Sequence, residues 1–186
     1  MKQLAIFDLD GTLFDTTWVN FLAYQQVLEQ RGYHADYSFF REQCFGHDYG
    51  YFGPLLAPGA SAEELREIHR EKKSCYASFL GRAVKNEHLF HLLHLMRPDY
   101  YTALVTAGSQ ANSSEILTRF GEQNSFDLIL TAENVKHAKP NPEGFQLAMA
   151  HFRVTPEQTI IFEDSPTGIA AAEAAGARLY VVKGYN

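Results

Sequence analysis

Cysteine is nearly missing from this chain: Cys44 and Cys75 are the only two among 186 residues. They stand far apart, with no ligand-spaced partners, which excludes a disulfide framework and a thiolate metal site. They read as reduced thiols of a cytoplasmic protein. Basic residues are also in deficit, with 16 Lys and Arg against 22 Asp and Glu and a formal net charge of −6. That balance argues against a general nucleic-acid binder, which carries a basic excess. No uninterrupted apolar run approaches a membrane span, and Met1-Lys2 leads straight into an apolar stretch without a signal-peptide pattern. There is no repeat, no low-complexity tract and no long coiled-coil seam, so a monomer with no membrane partner is expected. What remains is an ordinary globular composition, 46% hydrophobic and 20% charged, long enough for one substantial core.

From residue 99 onward short apolar runs alternate with helical stretches. Gln3–Asp8, Thr102–Thr106, Phe126–Leu130, Thr159–Glu163 and Ala177–Val182 read as strands apolar on both faces, as in a parallel sheet covered on both sides. Helices fit between them: 110–120 with Gly121 as its stop, one opening at Asn141-Pro142, and Pro166–Ala175 ending at Gly176. The alternation implies an α/β fold, a doubly wound parallel sheet of Rossmann-like type. Residues 15–85 differ. Trp18, Phe21, Leu22, Gln25 and Leu28 recur at helical spacing up to Gly32. Ser61-Ala62-Glu63-Glu64 has the form of a capping box, followed by Leu65, Ile68, Lys72, Tyr76 and Phe79 at helical steps. This segment reads as a small all-helical cap inserted after the first strand, with residues 1–14 and 86–186 forming the core.

The chemistry concentrates at Asp8-Leu9-Asp10-Gly11-Thr12, directly after Leu4-Ala5-Ile6-Phe7. On an extended segment residues two apart face one side, so Asp8 and Asp10 are expected in one pocket. Two acids so close raise each other's pKa unless a cation compensates. Further polar residues stand at other strand ends: Thr106 after Ala103-Leu104-Val105, Lys139 in Lys139-Pro140-Asn141-Pro142, and Glu163-Asp164-Ser165 after Thr159-Ile160-Ile161-Phe162. Each fragment alone has an ordinary reading as a turn, a cap, a solvated lysine or a helix start. The set in order, at the carboxyl ends where α/β sheets bind ligands, is what carries the argument.

Taken together, these four segments resemble the motifs of the haloacid dehalogenase superfamily of phosphotransferases. The likeness is to its subgroup of phosphoglycolate phosphatases and β-phosphoglucomutases, which share the Lys-Pro-x-Pro and Glu-Asp-Ser segments and a helical cap after the first motif. The resemblance implies that Asp8 attacks phosphorus to form an aspartyl phosphate and that Asp10 serves as acid and then base. It implies that Thr106, Ala107 and Lys139 bind phosphate, and that Mg²⁺ is held by Asp8, Asp10 (through its main-chain carbonyl), Glu163 and Asp164. Physics agrees that cations are needed. A carboxylate meeting a phosphate dianion is repelled by roughly 5 kcal/mol per charge pair at about 3.3 Å and an effective dielectric near 20. Asp10 favours phosphoryl transfer to or from oxygen, because the dehalogenases and phosphonatases of the superfamily lack an aspartate there. The expectation is a Mg²⁺-dependent phosphatase of a small phosphorylated metabolite. A sugar phosphomutase and a catalytically idle phosphate-binding module are the alternatives.

Other features count for less. His88, His91 and His94 step along a Leu-rich segment and read as an exposed helix edge, not a zinc site. The stretch from Phe45 to Phe52, with glycines among polar and aromatic groups, reads as a cap loop, with His47 and Asp48 as substrate contacts. Relatives place Pro-Gly at the second hinge, where this chain has Val84-Lys85-Asn86-Glu87.

Overall fold

The computed structural model describes residues 2–47 and 49–184; Asp48 therefore lies outside the described residues. Among these residues no helix is long and apolar enough to cross a membrane. The chain divides into two compact units. One contains the segment up to Asp15 and everything from Lys85 onward; the other is Thr16–Val84.

The first unit is built on five parallel strands: β1 (Gln3–Phe7), β4 (Tyr100–Val105), β5 (Leu128–Leu130), β6 (Thr159–Glu163) and β7 (Arg178–Val181). Their order across the sheet is β5-β4-β1-β6-β7. Short strands β2 (Phe14–Asp15) and β3 (Val84–Lys85) pair where the chain passes between the units. Strand β1 lies in the middle, and its residues Leu4 to Phe7 are completely buried. Alternate side chains serve opposite faces. Leu4 and Ile6 join Val105, Phe145, Met149, Ile161 and the alanines Ala171, Ala172 and Ala175 in one core layer. Phe7 stacks on Phe162 at 4.6 Å and meets Phe126 edge-on. The doubly covered parallel sheet is as expected, because a strand apolar at every position has nowhere exposed to turn.

Helices α5 (Glu87–Met96), α6 (Gln110–Arg119), α7 (Glu143–Phe152) and α8 (Pro166–Ala175) cover the sheet. Their starts follow from side-chain caps. Asn86, Ser109 and Ser165 each accept the backbone N–H three residues ahead, which satisfies an otherwise unpaired donor. Pro166 and Gly176 bound α8 as the sequence indicates. The start of α7 shifts by one: Pro142 occupies the cap position, and Asn141 Oδ1 accepts the Glu143 N–H at 3.0 Å. His88, His91 and His94 are exposed on α5.

The second unit holds α1 (Thr17–Glu29), α2 (Tyr37–Gln43), α3 (Tyr49–Leu56) and α4 (Ala62–Cys75), followed by a 3₁₀ turn over Tyr76–Arg82. Ser61 caps α4 through the Glu64 N–H at 3.2 Å. The expected loop around residues 45–52 requires correction. Only its first part is a turn, with Gly46 at φ 80°. From Tyr49 the chain is helical because Phe52 and Leu56 fall on one face and pack among Tyr24, Phe40 and Ile68. The unit's centre is aromatic, with Tyr24 stacked on Tyr49 and in contact with Phe40 and Phe52. It also buries a cation: Lys72 donates to Asn20 Oδ1 and lies 5.1 and 4.8 Å from the ring centres of Tyr24 and Tyr76.

A polar cluster in the first unit is a point of pH sensitivity. Glu122 accepts from Lys85 at 2.7 Å and from Ser125, with His94 Nε2 at 3.2 Å. Burial alone would raise its pKa, but the Lys85 and Ser125 hydrogen bonds outweigh burial and hold it below the ordinary 4.5. A depressed carboxylate contributes stability above its unfolded pKa and loses it as pH falls through the folded value. Glu122→Gln should therefore destabilise by about 1–3 kcal/mol at pH 7. The gap to wild type in urea unfolding should close as pH drops below 4.5.

Candidate active site

Register brings the site together. Phe7 pairs with Leu104 on one side and Phe162 on the other, so one further step sets Asp8 beside Val105 and Glu163. The Asp8 N–H continues the ladder to Phe162 O at 3.0 Å. Asp8, Thr106 and Glu163 thus sit at the carboxyl ends of β1, β4 and β6. Past Asp8 the backbone leaves the extended form: both the Leu13 and Phe14 N–H groups donate to Leu9 O. Asp10 is therefore positioned by this turn and not by strand alternation.

Lys139 comes from the loop before α7 and is the central contact. Its ammonium donates to Asp8 Oδ1 and Glu163 Oε1, both at 2.7 Å, and to Val105 O at 3.0 Å. The Glu163 side chain is fully buried. Its other oxygen accepts the Asp164 and Ser165 N–H groups at 2.8 Å and the Ser165 hydroxyl at 3.0 Å. Asp164 Oδ1 accepts from the buried Thr12 hydroxyl at 2.7 Å. One oxygen each of Asp8, Glu163 and Asp164 lies within 4.8 Å of the others. Three acids face one ammonium, and the electrostatics show the imbalance. Burial pushes Asp8 well up; Lys139 opposes this, while Glu163 and Asp164 add to it. Burial likewise pushes Asp164 up to about 7; Thr12 opposes the rise, and Glu163 and Asp10 reinforce it. For Lys139 burial acts downward, but Asp8 and Glu163 overcome it and raise the ammonium above its ordinary value. Hard carboxylate oxygens in such an array fit a divalent cation.

Thr106 Oγ1 accepts the Gly108 N–H at 2.9 Å, which leaves its own hydrogen to donate. Ala107, next along the loop, is exposed. His47 lies in the other unit, exposed, with its ring 5.2 Å from that of Tyr51.

Several supporting residues escaped the sequence reading. Thr12 was visible only as the end of the first motif. Glu143 accepts the Lys136 and His137 N–H groups at 2.9 and 3.0 Å and so braces the loop that delivers Lys139. Its position four residues past that lysine was the available signal. Two glycines are required by close approach. Gly11 has φ +92°, and a Cβ there would lie 2.0 Å from Asp164 Oδ2; a Cβ at Gly168 would lie 1.6 Å from Glu163 Oε1.

With this geometry in view, the comparisons have a physical basis. The family profile described as haloacid dehalogenase-like hydrolase matches residues 5–182. The chain belongs to the haloacid dehalogenase-like hydrolases. Within that family, validoxylamine A 7'-phosphate phosphatase of Streptomyces hygroscopicus subsp. limoneus is 32% identical over 95% of this chain and 83% of its own. The phosphorylated carbohydrates phosphatase of Thermotoga maritima is 31% identical over 97% of this chain and 85% of its own. The crystal structure of CbbY from Rhodobacter sphaeroides in complex with phosphate superposes with a TM-score of 0.84 at 25% identity, covering all of this chain and 88% of that one. This haloacid dehalogenase-like hydrolase is a phosphoric monoester hydrolase, a phosphatase in the company of β-phosphoglucomutases and CbbY-like proteins.

The glycine at the start of α8 gives a direct test of the packing. Gly168→Ala should drive a methyl group into the Glu163 carboxylate and lower stability by about 1–3 kcal/mol in urea unfolding. An exposed control, Ser114→Ala, should change it by less than about 0.5 kcal/mol.

Proposed function

We propose that the protein is a Mg²⁺-dependent phosphatase of small phosphorylated sugars, acting through an aspartyl phosphate on Asp8. The observation that carries this reading is the cluster of Asp8, Glu163 and Asp164 around the single Lys139 ammonium. Such a cluster has anionic oxygens to spare for a cation and places a carboxylate at the carboxyl end of the sheet. The relative named phosphorylated carbohydrates phosphatase supports the substrate class.

Asp8, Asp164 and Glu163, together with the Asp10 carbonyl, would hold Mg²⁺; when bound, it supplies positive charge that offsets the meeting of two anions. The remaining steps belong to the chain itself. Lys139 occupies Asp8 Oδ1, so Oδ2 is the oxygen that meets phosphorus in line with the departing alcohol. Asp10 gives its proton to the oxygen of the departing alcohol as the P–O bond to that alcohol breaks. It then takes a proton from the water that attacks the aspartyl phosphate, and inorganic phosphate leaves with Asp8 restored. The Thr106 hydroxyl and the Ala107 N–H donate to the phosphate oxygens, in a site where fixed donors need no reorganisation. Selection of the sugar falls to the helical unit, for which His47 and Asp48 are the contacts proposed from the sequence.

The deciding assay is hydrolysis of p-nitrophenyl phosphate. Activity should require Mg²⁺, vanish with a chelator and return on replacement. In Asp8→Asn kcat should fall by roughly 10³-fold or more at unchanged fold. Full activity in that variant would overturn the nucleophile assignment. A panel of hexose and pentose phosphates against purified protein then tests the substrate class.

A further inference from the structure

One polar atom is not accounted for by the roles above. Among the described residues, the Ser113 hydroxyl is the only buried side-chain nitrogen or oxygen without a hydrogen-bond partner. Ser113 is 2% exposed, in the first turns of α6. A buried helical serine ordinarily turns its hydroxyl to the carbonyl four residues back; here Ser109 O receives the Ser113 N–H at 3.0 Å and not the hydroxyl. Burial without a partner is costly and uncommon enough to call for a cause.

The cause lies across the loop, at Gly108. Its φ is outside the left-handed region, so its backbone does not demand glycine. Nor does crowding: a Cβ there would meet Thr106 Oγ1 at 3.3 Å, Asp10 Oδ2 at 3.5 Å and Ser113 Oγ at 3.5 Å. These are contacts a methyl group tolerates with shifts of a few tenths of an ångström. The three nearest atoms are all oxygens, contributed by three separate segments. Glycine thus keeps open a small polar notch that reaches from the Ser113 hydroxyl to the Asp10 carboxyl.

The geometry points to a bound water in this notch, held by Ser113 and Thr106 against Asp10 Oδ2, which fixes the Asp10 carboxyl in the orientation for proton transfer. The inference rests on the acid–base role proposed for Asp10 and adds Ser113 as a positioning residue. Donors and acceptors balance. Ser113 donates to the water, and the water donates to Asp10 Oδ2 and to Thr106 Oγ1. Thr106 Oγ1 takes that bond on the lone pair left over from the Gly108 N–H and keeps its own hydrogen for a phosphate oxygen. Three hydrogen bonds are the usual complement of a buried water.

Ser113→Ala removes the hydroxyl that anchors the water, and Gly108→Ala fills the notch with a methyl group. Both are compared with wild type on phenyl phosphate, whose leaving oxygen needs a proton, and on p-nitrophenyl phosphate, whose leaving group departs as the anion. Each variant should lose about tenfold in kcat/KM on phenyl phosphate, a ratio that covers only the steps up to departure of the alcohol. On p-nitrophenyl phosphate kcat/KM should stay within about twofold of wild type, because the later hydrolysis of the aspartyl phosphate, where Asp10 acts as base, does not enter that ratio. The double variant should be no slower than the slower single one, because both changes remove the same water. Unchanged kcat/KM on phenyl phosphate, equal losses of kcat/KM on both substrates, or multiplying losses in the double variant would each overturn the proposal. Asp10→Asn separates the two levels. If it hydrolyses phenyl phosphate normally, the acid–base reading of Asp10 fails. If it is inactive while Ser113→Ala matches wild type, the bound water alone is ruled out.

Discussion

The buried ammonium of Lys139 holds the polar end of the sheet unit together. Lys139 bridges Asp8 and Glu163, at the ends of two adjacent strands, and also binds the carbonyl of Val105 at the end of a third. Removing one member of such a group would strand a buried charge, which costs far more than the pair contributes. The strand register, the loop before α7 and the start of α8 must therefore all be correct at once. The remaining acidic excess, visible in the raised pKa of Asp8 and Asp164, is energy withheld from stability, as expected of the site proposed to take a cation and an anionic substrate.

Around that contact the protein spends small residues to gain closeness. Gly11 admits the Asp164 carboxylate and Gly168 admits that of Glu163, at distances where any side chain would overlap. Thr12 and Ser165 then take up carboxylate lone pairs with hydroxyls, which fixes orientation without adding charge. Glu143 does similar work farther out: it binds two backbone N–H groups of the loop that carries Lys139. This is preorganisation in a literal sense, since the groups are held before any ligand arrives.

The helical unit follows different physics. Its core is a stack of rings around Tyr24, rigid side chains that bury much area with little rotamer loss. Tyr24 of that stack and Tyr76 also lie close to the Lys72 ammonium. Haloacid dehalogenase-like hydrolases thus combine, in this chain, a polar site on an aliphatic sheet with a separate aromatic unit.

Sequence periodicity was enough for the architecture. Both-face apolar runs such as Thr159–Glu163 and bounded helices such as Pro166–Ala175 depend on local rules, namely burial, capping and glycine stops, and their limits are read directly from the residues. The clustering of Asp8, Lys139, Glu163 and Asp164 was legible only from the set, because the carboxyl ends of such strands gather at one edge of the sheet while each fragment alone has an ordinary reading. Three things were not legible. Asp10 is set by a turn that strand alternation does not describe. Tyr49–Leu56 is helical because its apolar face finds Tyr24 and Phe40, which lie elsewhere in the chain. Whether Ser113 has a partner depends on where the loop at Gly108 folds back. Local pattern determined which segments form and which residues carry charge. Only the tertiary structure decided which of those charges share a hydrogen bond or an ion pair, because such energies depend on distances between residues far apart in the chain.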